Sequence, residues 1–265
     1  MISLLVLGTG GGVPIPGRAP TSNLVTVDGQ KILVDLGPGA LSRLVSSPHG
    51  PDSLDEIDTI LFTHLHPDHC NDIVHLLFAM RCPALESKMP LLMMGPPGLA
   101  NYMSKLKELY GDWLNPLHRQ VVITEFSSDE TFILENGGAV TPFIANHSEN
   151  RFSKHNFGYC FSDKTGSKVV ISGDGGPSKT LENVAKGCDL LLIECSTPDE
   201  LAVDGHMTPA RVAGLCNVTR PKKTVLNHFY PAAAELDLAK LVYDNYDGSV
   251  VMANDGDFFT VDQGK

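Results

Sequence analysis

Residues 63–69 read Thr-His-Leu-His-Pro-Asp-His, three imidazoles and one carboxylate within six consecutive positions, directly behind the strand-like run 57–62. Neutral imidazole nitrogens and an anionic oxygen are the donors that zinc and similar borderline cations prefer. Four donors exceed what one catalytic metal usually takes from a single short stretch, so the block reads as one side of a two-metal site. A chain that carries it must fold so that distant segments deliver the remaining ligands to the same place. That requirement constrains the topology more than any other feature.

The composition permits such a fold. The chain has 265 residues, 42% apolar and 19% charged, enough for a large core and within range for one α/β sandwich or barrel. Residues 1–265 are expected to form a single domain, since no linker, low-complexity segment or obvious tandem repeat interrupts them. No apolar stretch approaches the roughly 20 residues of a membrane span, and the N-terminus lacks a basic leader and runs straight into a glycine turn. The six cysteines contain no Cys-x-x-Cys pair, so a reducing cytoplasm is the expected location. A net charge of −11 argues against broad electrostatic adhesion to nucleic acid or anionic lipid.

Strands are expected at 2–7, 23–28, 31–36, 57–63, 91–94, 120–126, 131–134, 139–145, 157–162, 168–173, 189–194, 223–227, 250–253 and 257–261, with Asp28-Gly29 as a hairpin turn. Helices are expected at 40–45, 72–80, 99–110, 178–186, 208–217 and 235–246. Three of the strands end in a metal-type side chain: Phe143-Ile144-Ala145-Asn146-His147, Val169 through Asp174, and Thr224-Val225-Leu226-Asn227-His228. Ligands at successive strand ends converge on one edge of a sheet and share a rigid support. A strand-end His or an Asp before Gly-Gly is, taken singly, more often structural. The three together with the 64–69 block make a dinuclear site. His49, His75 and His118 lack such a context and read as surface or packing residues. His155, which follows Arg151 and Lys154 close behind His147, reads the same way, with a substrate contact by these three as the alternative. The segment Gly8-Thr9-Gly10-Gly11-Gly12 continues as Val13-Pro14 and not as a helix, so it is a cleft-lining loop and not a phosphate cradle.

Asp35, the His-x-His-x-Asp-His block at 64–69, His147, Asp174 and His228 resemble, in order and context, the five motifs of the metallo-β-lactamase superfamily. The resemblance covers nearly the whole chain. It implies an αββα sandwich, two mixed sheets face to face with helices outside. It also implies one metal held by His64, His66 and His147, a second held by Asp68, His69 and His228, and Asp174 bridging them, with Asp35 orienting a ligand imidazole. The ions expected are two divalent cations, Zn2+ first and Mn2+ as the alternative.

Two ions about 3.5–4 Å apart can bridge a hydroxide and stabilise developing oxyanion charge. No Gly-x-Ser-x-Gly elbow or Cys–His pairing competes as a nucleophile. Hydrolysis is therefore the expected reaction, with Asp68 among the catalytic groups. Asp204-Gly205-His206-Met207-Thr208-Pro209 sets His206 before a helix that Thr208 caps and Pro209 begins. This segment, the glycine loop and 172–178 resemble the ribonuclease Z and phosphodiesterase branch. There the histidine corresponding to His206 donates a proton to the leaving alkoxide or stabilises the phosphoryl oxygens. The common long ribonuclease Z type inserts a tRNA-clamping arm between the motifs matching His147 and Asp174. Here those residues are 27 positions apart, filled by two strands. The expected substrate is therefore a small phosphodiester, a cyclic nucleotide or short oligonucleotide, with nucleic acid less favoured. Precursor tRNA, an arylsulfate or a lactone are the alternatives, and a non-hydrolytic metal-binding or redox protein is the most distant one. Dimers are common in that branch, which makes a homodimer a further expectation.

Overall fold

The computed structural model describes residues 1–126, 130–147 and 155–262. The first half of the chain forms β1 (Ile2–Gly8), β2 (Ser22–Val27), β3 (Gln30–Val34), α1 (Ala40–Ser46), β4 (Thr59–Leu61), α2 (Pro67–Cys70), α3 (Asp72–Ala79), β5 (Leu91–Gly95), α4 (Leu99–Tyr110) and β6 (Val121–Glu125). The second half forms β7 (Phe132–Ile133), β8 (Ala139–Ala145), β9 (Asn156–Ser162), β10 (Lys168–Ile171), α5 (Lys179–Ala185), β11 (Leu190–Glu194), α6 (Pro209–Thr219), β12 (Thr224–Asn227), α7 (Pro231–Ala234), α8 (Leu238–Tyr243), β13 (Val250–Met252) and β14 (Phe258–Val261).

Each half builds most of one seven-stranded sheet, with β14 of the second half completing the first. The first has the order β14-β1-β2-β3-β4-β5-β6, the second β13-β12-β11-β10-β9-β8-β7. In both, an antiparallel run gives way to a parallel one: β1, β2 and β3 are antiparallel and β3 through β6 parallel, while β7 through β10 are antiparallel and β10 through β13 parallel. The β2–β3 turn places both central residues at positive φ, Asp28 at 46° and Gly29 at 91°, the left-handed pair that a two-residue hairpin needs.

Side-chain alternation assigns the layers. Ile2, Leu4 and Val6 of β1 meet Phe157, Tyr159, Phe161, Leu190 and Leu192 in the core between the sheets. Leu5 and Leu7 point the other way, toward a layer with α1, α3 and α4. Leu191 and Ile193 likewise leave the inter-sheet core for α5, α6 and α8. Both sheets are thus covered on both faces, which is why their strands read as continuous apolar runs. Each fully buried Leu, Ile or Phe contributes roughly 1.5–3 kcal/mol of transfer free energy. The result is the expected αββα sandwich. No helix among the described residues is long and apolar enough to cross a membrane.

Two expected elements come out differently. The strand expected at 57–63 is confined to Thr59–Leu61, because beyond it Thr63 N–H donates to the Asp35 carboxylate and leaves the ladder. The helix expected at 235–246 is shortened to α8, with the separate short helix α7 before it. Asp237 accepts from Lys240 N–H and starts α8 afresh, the competition between side chain and backbone that favours caps over helix interiors.

Candidate metal centre

The parallel strands and β8 all aim their C-terminal ends at one edge of the sandwich, and the metal-type side chains sit there. Asp35 follows β3, the histidine block follows β4, His147 follows β8, Asp174 follows β10 and His228 follows β12. The block is part helical: His66 precedes α2, Pro67 opens it, and Asp68 lies in its first turn, where proline and an acidic residue both suit a helix start. Asp35 and His228 take left-handed backbone conformations, φ 63° and 57°. Each costs of order 1–3 kcal/mol, a strain that concentrates at functional sites.

The donor atoms form overlapping groups, and two of these share no residue. Potential donors of His64, His66 and His147 lie within 4.8 Å of one another, as do those of Asp68, His69 and His228. Asp174 Oδ2 faces both, 3.9 Å from His64 Nε2 and 3.1 Å from His228 Nε2. In the second set, His69 Nε2 is 3.3 Å from His228 Nε2 and 3.3 Å from Asp174 Oδ2, while Asp68 Oδ2 is 3.5 Å from His228 Nε2 and 3.7 Å from His69 Nε2. A tetrahedron with 2.0–2.1 Å bonds has edges of about 3.3–3.4 Å. The spacings within this set, 3.1–3.7 Å, are close to those edges and compatible with an ion of that size.

The hydrogen-bond network sets the tautomers. His147 Nδ1–H donates to Gly205 O (3.0 Å), and His69 Nδ1–H to Asp35 Oδ2 (2.9 Å). Thr63 Oγ1 donates to Asp35 Oδ2 and so accepts from His64 Nδ1 (2.9 Å). Ser196 Oγ donates to Glu194 and so accepts from His228 Nδ1 (3.0 Å). In the neutral form of each of these four rings, Nε2 is then the acceptor nitrogen. His147 Nε2 is buried with no hydrogen-bond partner, and His64 Nε2 lies 2.9 Å from His66 Nδ1. A buried acceptor without a donor, as at His147 Nε2, suits a bound cation.

The electrostatics agree. Burial, then the neighbouring His69 charge, holds the His64 imidazole well below its ordinary value. At His69 burial acts in the same direction but is outweighed by the Asp174 and Asp35 carboxylates, which lift its pKa well above ordinary. Asp174 is pulled far below the carboxylate range, against its burial, by His228 and His69. A cation held here would take over the charge that protons otherwise supply to Asp174 and its neighbours.

His206 also reaches the site. One of its ring nitrogens lies within 4.8 Å of donor atoms of Asp174 and His228. Its Nδ1 sits 2.9 and 3.1 Å from the two Glu194 oxygens, and that carboxylate raises its pKa against the effect of burial. Glu194 is the residue sequence reasoning missed. Its side chain is completely buried, and it accepts from Gly175 N–H, Ser196 Oγ and His206, tying the Asp174 turn, His228 and His206 together. Its one mark in the sequence is Leu190-Leu191-Leu192-Ile193-Glu194, an apolar strand that ends in a carboxylate, a pattern too common to single it out.

Other expectations have simpler outcomes. His155 is exposed at the edge of a cavity of about 350 Å³ that also includes His147, Ser178 and Thr180. Arg151 and Lys154 lie outside the described residues. His49 stacks on Phe258, ring centroids 4.0 Å apart, a packing role. The glycine loop does line the site: an added Cβ at Gly12 would stand 3.5 Å from Asp68 Oδ2.

A two-sheet sandwich with a His/Asp cluster at its strand ends defines a class of metal-dependent hydrolases. The chain belongs to the beta-lactamase superfamily, whose domain profile, "Beta-lactamase superfamily domain", matches residues 30–229. It is 26% identical over 268 residues to "Ribonuclease Z 2, mitochondrial" of Schizosaccharomyces pombe, an alignment that covers 96% of this chain but 38% of that protein. It is also 26% identical over 280 residues to ribonuclease Z of Mycobacterium bovis, with 96% of each chain covered. Among solved structures, the metallo-beta-lactamase fold protein YhfI of Bacillus subtilis shares the fold, with a TM-score of 0.82 at 20% identity, covering 97% of this chain and 98% of that one. The protein is therefore a metal-dependent hydrolase.

Proposed function

We propose that the chain is a two-metal phosphodiesterase that hydrolyses small phosphodiesters such as cyclic nucleotides or short oligonucleotides. Zn2+ is the ion that best suits the donor set, with Mn2+ as the alternative. One observation carries the reading: Asp174 Oδ2 lies within 3.9 Å of His64, His69 and His228 Nε2, between the His64–His66–His147 and Asp68–His69–His228 groups, with His206 beside them on a buried carboxylate.

His64, His66 and His147 would hold one ion and Asp68, His69 and His228 the other, with Asp174 between. Two such ions, when bound, polarise the phosphoryl oxygens and provide a nucleophile from water. The chain does the rest. Asp35 and Thr63 fix the rings of His69 and His64, and Ser196 fixes that of His228. Glu194 accepts from His206 Nδ1 and so fixes the ring that delivers a proton to the leaving alkoxide. General acid catalysis of this kind contributes typically 10²- to 10⁴-fold.

Activity toward bis(p-nitrophenyl) phosphate should vanish on chelation and return with Zn2+ or Mn2+. His206→Ala should lower turnover about 100-fold or more with metal content unchanged; full activity would remove the acid role. The relatives' name favours a second reading, 3′ processing of precursor tRNA. Against it stand the net charge of −11 and the occupation of the His147–Asp174 interval by β9 and β10. Assaying cyclic nucleotides, dinucleotides and precursor tRNA side by side decides between them, and efficient tRNA cleavage would overturn the first.

All six cysteines are unpaired, which supports a reducing compartment, the cytoplasm. The homodimer that the family branch suggests has a candidate face in Phe78, Leu109 and Trp113, which are 52%, 74% and 61% exposed; sedimentation equilibrium tests it.

A further inference from the structure

The glycine-rich loop between β1 and β2 lies against the second donor set. An added Cβ at Gly11 would stand 3.0 Å from His228 Cε1 and 3.1 Å from the Tyr230 ring, so this backbone packs directly on a candidate ligand. Phe229 N–H donates to Thr9 O (2.8 Å), and Gly11 N–H donates to Phe229 O (3.1 Å). Those two bonds grip the residue immediately after His228. A left-handed histidine persists only where its surroundings over-determine it. Before His228 the chain is fixed by the β12 ladder; after it, the loop supplies much of the support.

The loop makes few ladder bonds of its own and is held from elsewhere. Asp255, in the turn between β13 and β14, accepts from Thr9 N–H (2.9 Å) and Thr9 Oγ1 (2.6 Å) on Oδ1, and from Ala19 N–H (2.7 Å) on Oδ2. One carboxylate thus ties both ends of the loop. Arg18 reinforces it: Nη1 donates to Thr9 Oγ1 (2.7 Å) and to Ala253 O (2.7 Å), and the guanidinium carbon lies 4.6 Å from the Phe229 ring centroid.

We propose that Asp255 is a positioning residue for the Asp68–His69–His228 donor set, acting through Thr9 and Phe229 to hold His228 in its left-handed conformation. The inference rests on the two-metal reading. Asp255 does not touch the donors; it fixes the backbone that fixes one of them. Loss of an outer partner of a metal ligand typically costs 10- to 100-fold in affinity. The loss here falls on one of the two sites, because His64, His66 and His147 have no contact with the loop among the interactions described above.

The test uses full-length wild type, Asp255→Ala and Asp255→Asn, each stripped by a chelator and titrated with Zn2+ against a chromophoric competitor. Unfolding midpoints of the stripped chains are measured in parallel. The wild type should bind two ions. In Asp255→Ala one binding constant should weaken 10- to 100-fold while the other is unchanged, and Asp255→Asn, which keeps one acceptor oxygen, should fall between. Should the alanine variant fail to fold, the asparagine variant carries the same comparison. Two unchanged constants, or two constants weakened equally in step with a lower unfolding midpoint, would overturn the proposal and leave the two-metal reading standing. A wild type that binds a single ion would end both.

Discussion

Glu194 shows how a single side chain can serve a site that it does not enter. Its two oxygens accept from a turn N–H, a serine and a histidine in a fully buried position. Burying a carboxylate is costly unless every lone pair is used, and here the bonds reach the Asp174 turn, His228 and His206 at once. Glu194→Gln keeps the shape but turns one acceptor into a donor that faces donors. We expect kcat for bis(p-nitrophenyl) phosphate to fall about 10- to 100-fold, in line with other residues that orient a ligand, and the pH–rate profile to change shape. An unchanged profile would mean that Glu194 only packs. The histidine block and the residues at 147, 174 and 228 were legible because imidazoles and Asp-Gly-Gly at strand ends stand out against apolar runs. Glu194 was not, because a single carboxylate after four apolar residues also marks any strand that surfaces into solvent. The left-handed conformations of Asp35 and His228 were equally invisible, since neither residue type demands positive φ.

At the level of elements, α6 begins as its sequence dictates. Thr208 Oγ1 accepts from Arg211 N–H, and Pro209 occupies the first helical position. The same start fixes the segment before it, where Arg211 Nη1 donates to His206 O (2.7 Å). Thr208→Ala should cost about 1 kcal/mol as a lost N-cap, a drop of roughly 2–4 °C in Tm for a chain of this size. Metal content should not change, and a larger drop measured by calorimetry would mean that Thr208 supports more than the helix start. Strand and helix positions could be read from period and punctuation. The exceptions, the short β4 and the late start of α8, arose where a side chain took over a backbone bond: Asp35 from Thr63 in the first case, Asp237 from Lys240 in the second. Single-sequence periodicity carries no trace of such competitions.

At the scale of the molecule, the chain lays down one sheet per half, and β14 returns to the edge of the first. Pairing order of that kind depends on contacts as distant in sequence as Ile2 with Val261, which local patterns do not encode; the fold class came instead from the order of the ligand motifs. The same layering predicts thiol reactivity. Burial pushes the Cys70 and Cys216 thiols up to about 11 and that of Cys188 to about 12, whereas Cys82 is exposed. Reactivity follows thiolate and access, so iodoacetamide on the native protein should modify Cys82 first by mass spectrometry; early labelling of Cys70 would contradict the packing behind α2. The central claim is that two ions shared through Asp174 form the hydrolytic centre. Its most direct test is to add Zn2+ stepwise to the stripped protein while following bis(p-nitrophenyl) phosphate turnover. Activity should rise to its maximum only as the second ion per chain is bound. Maximal turnover with one ion bound, or with none, would contradict it.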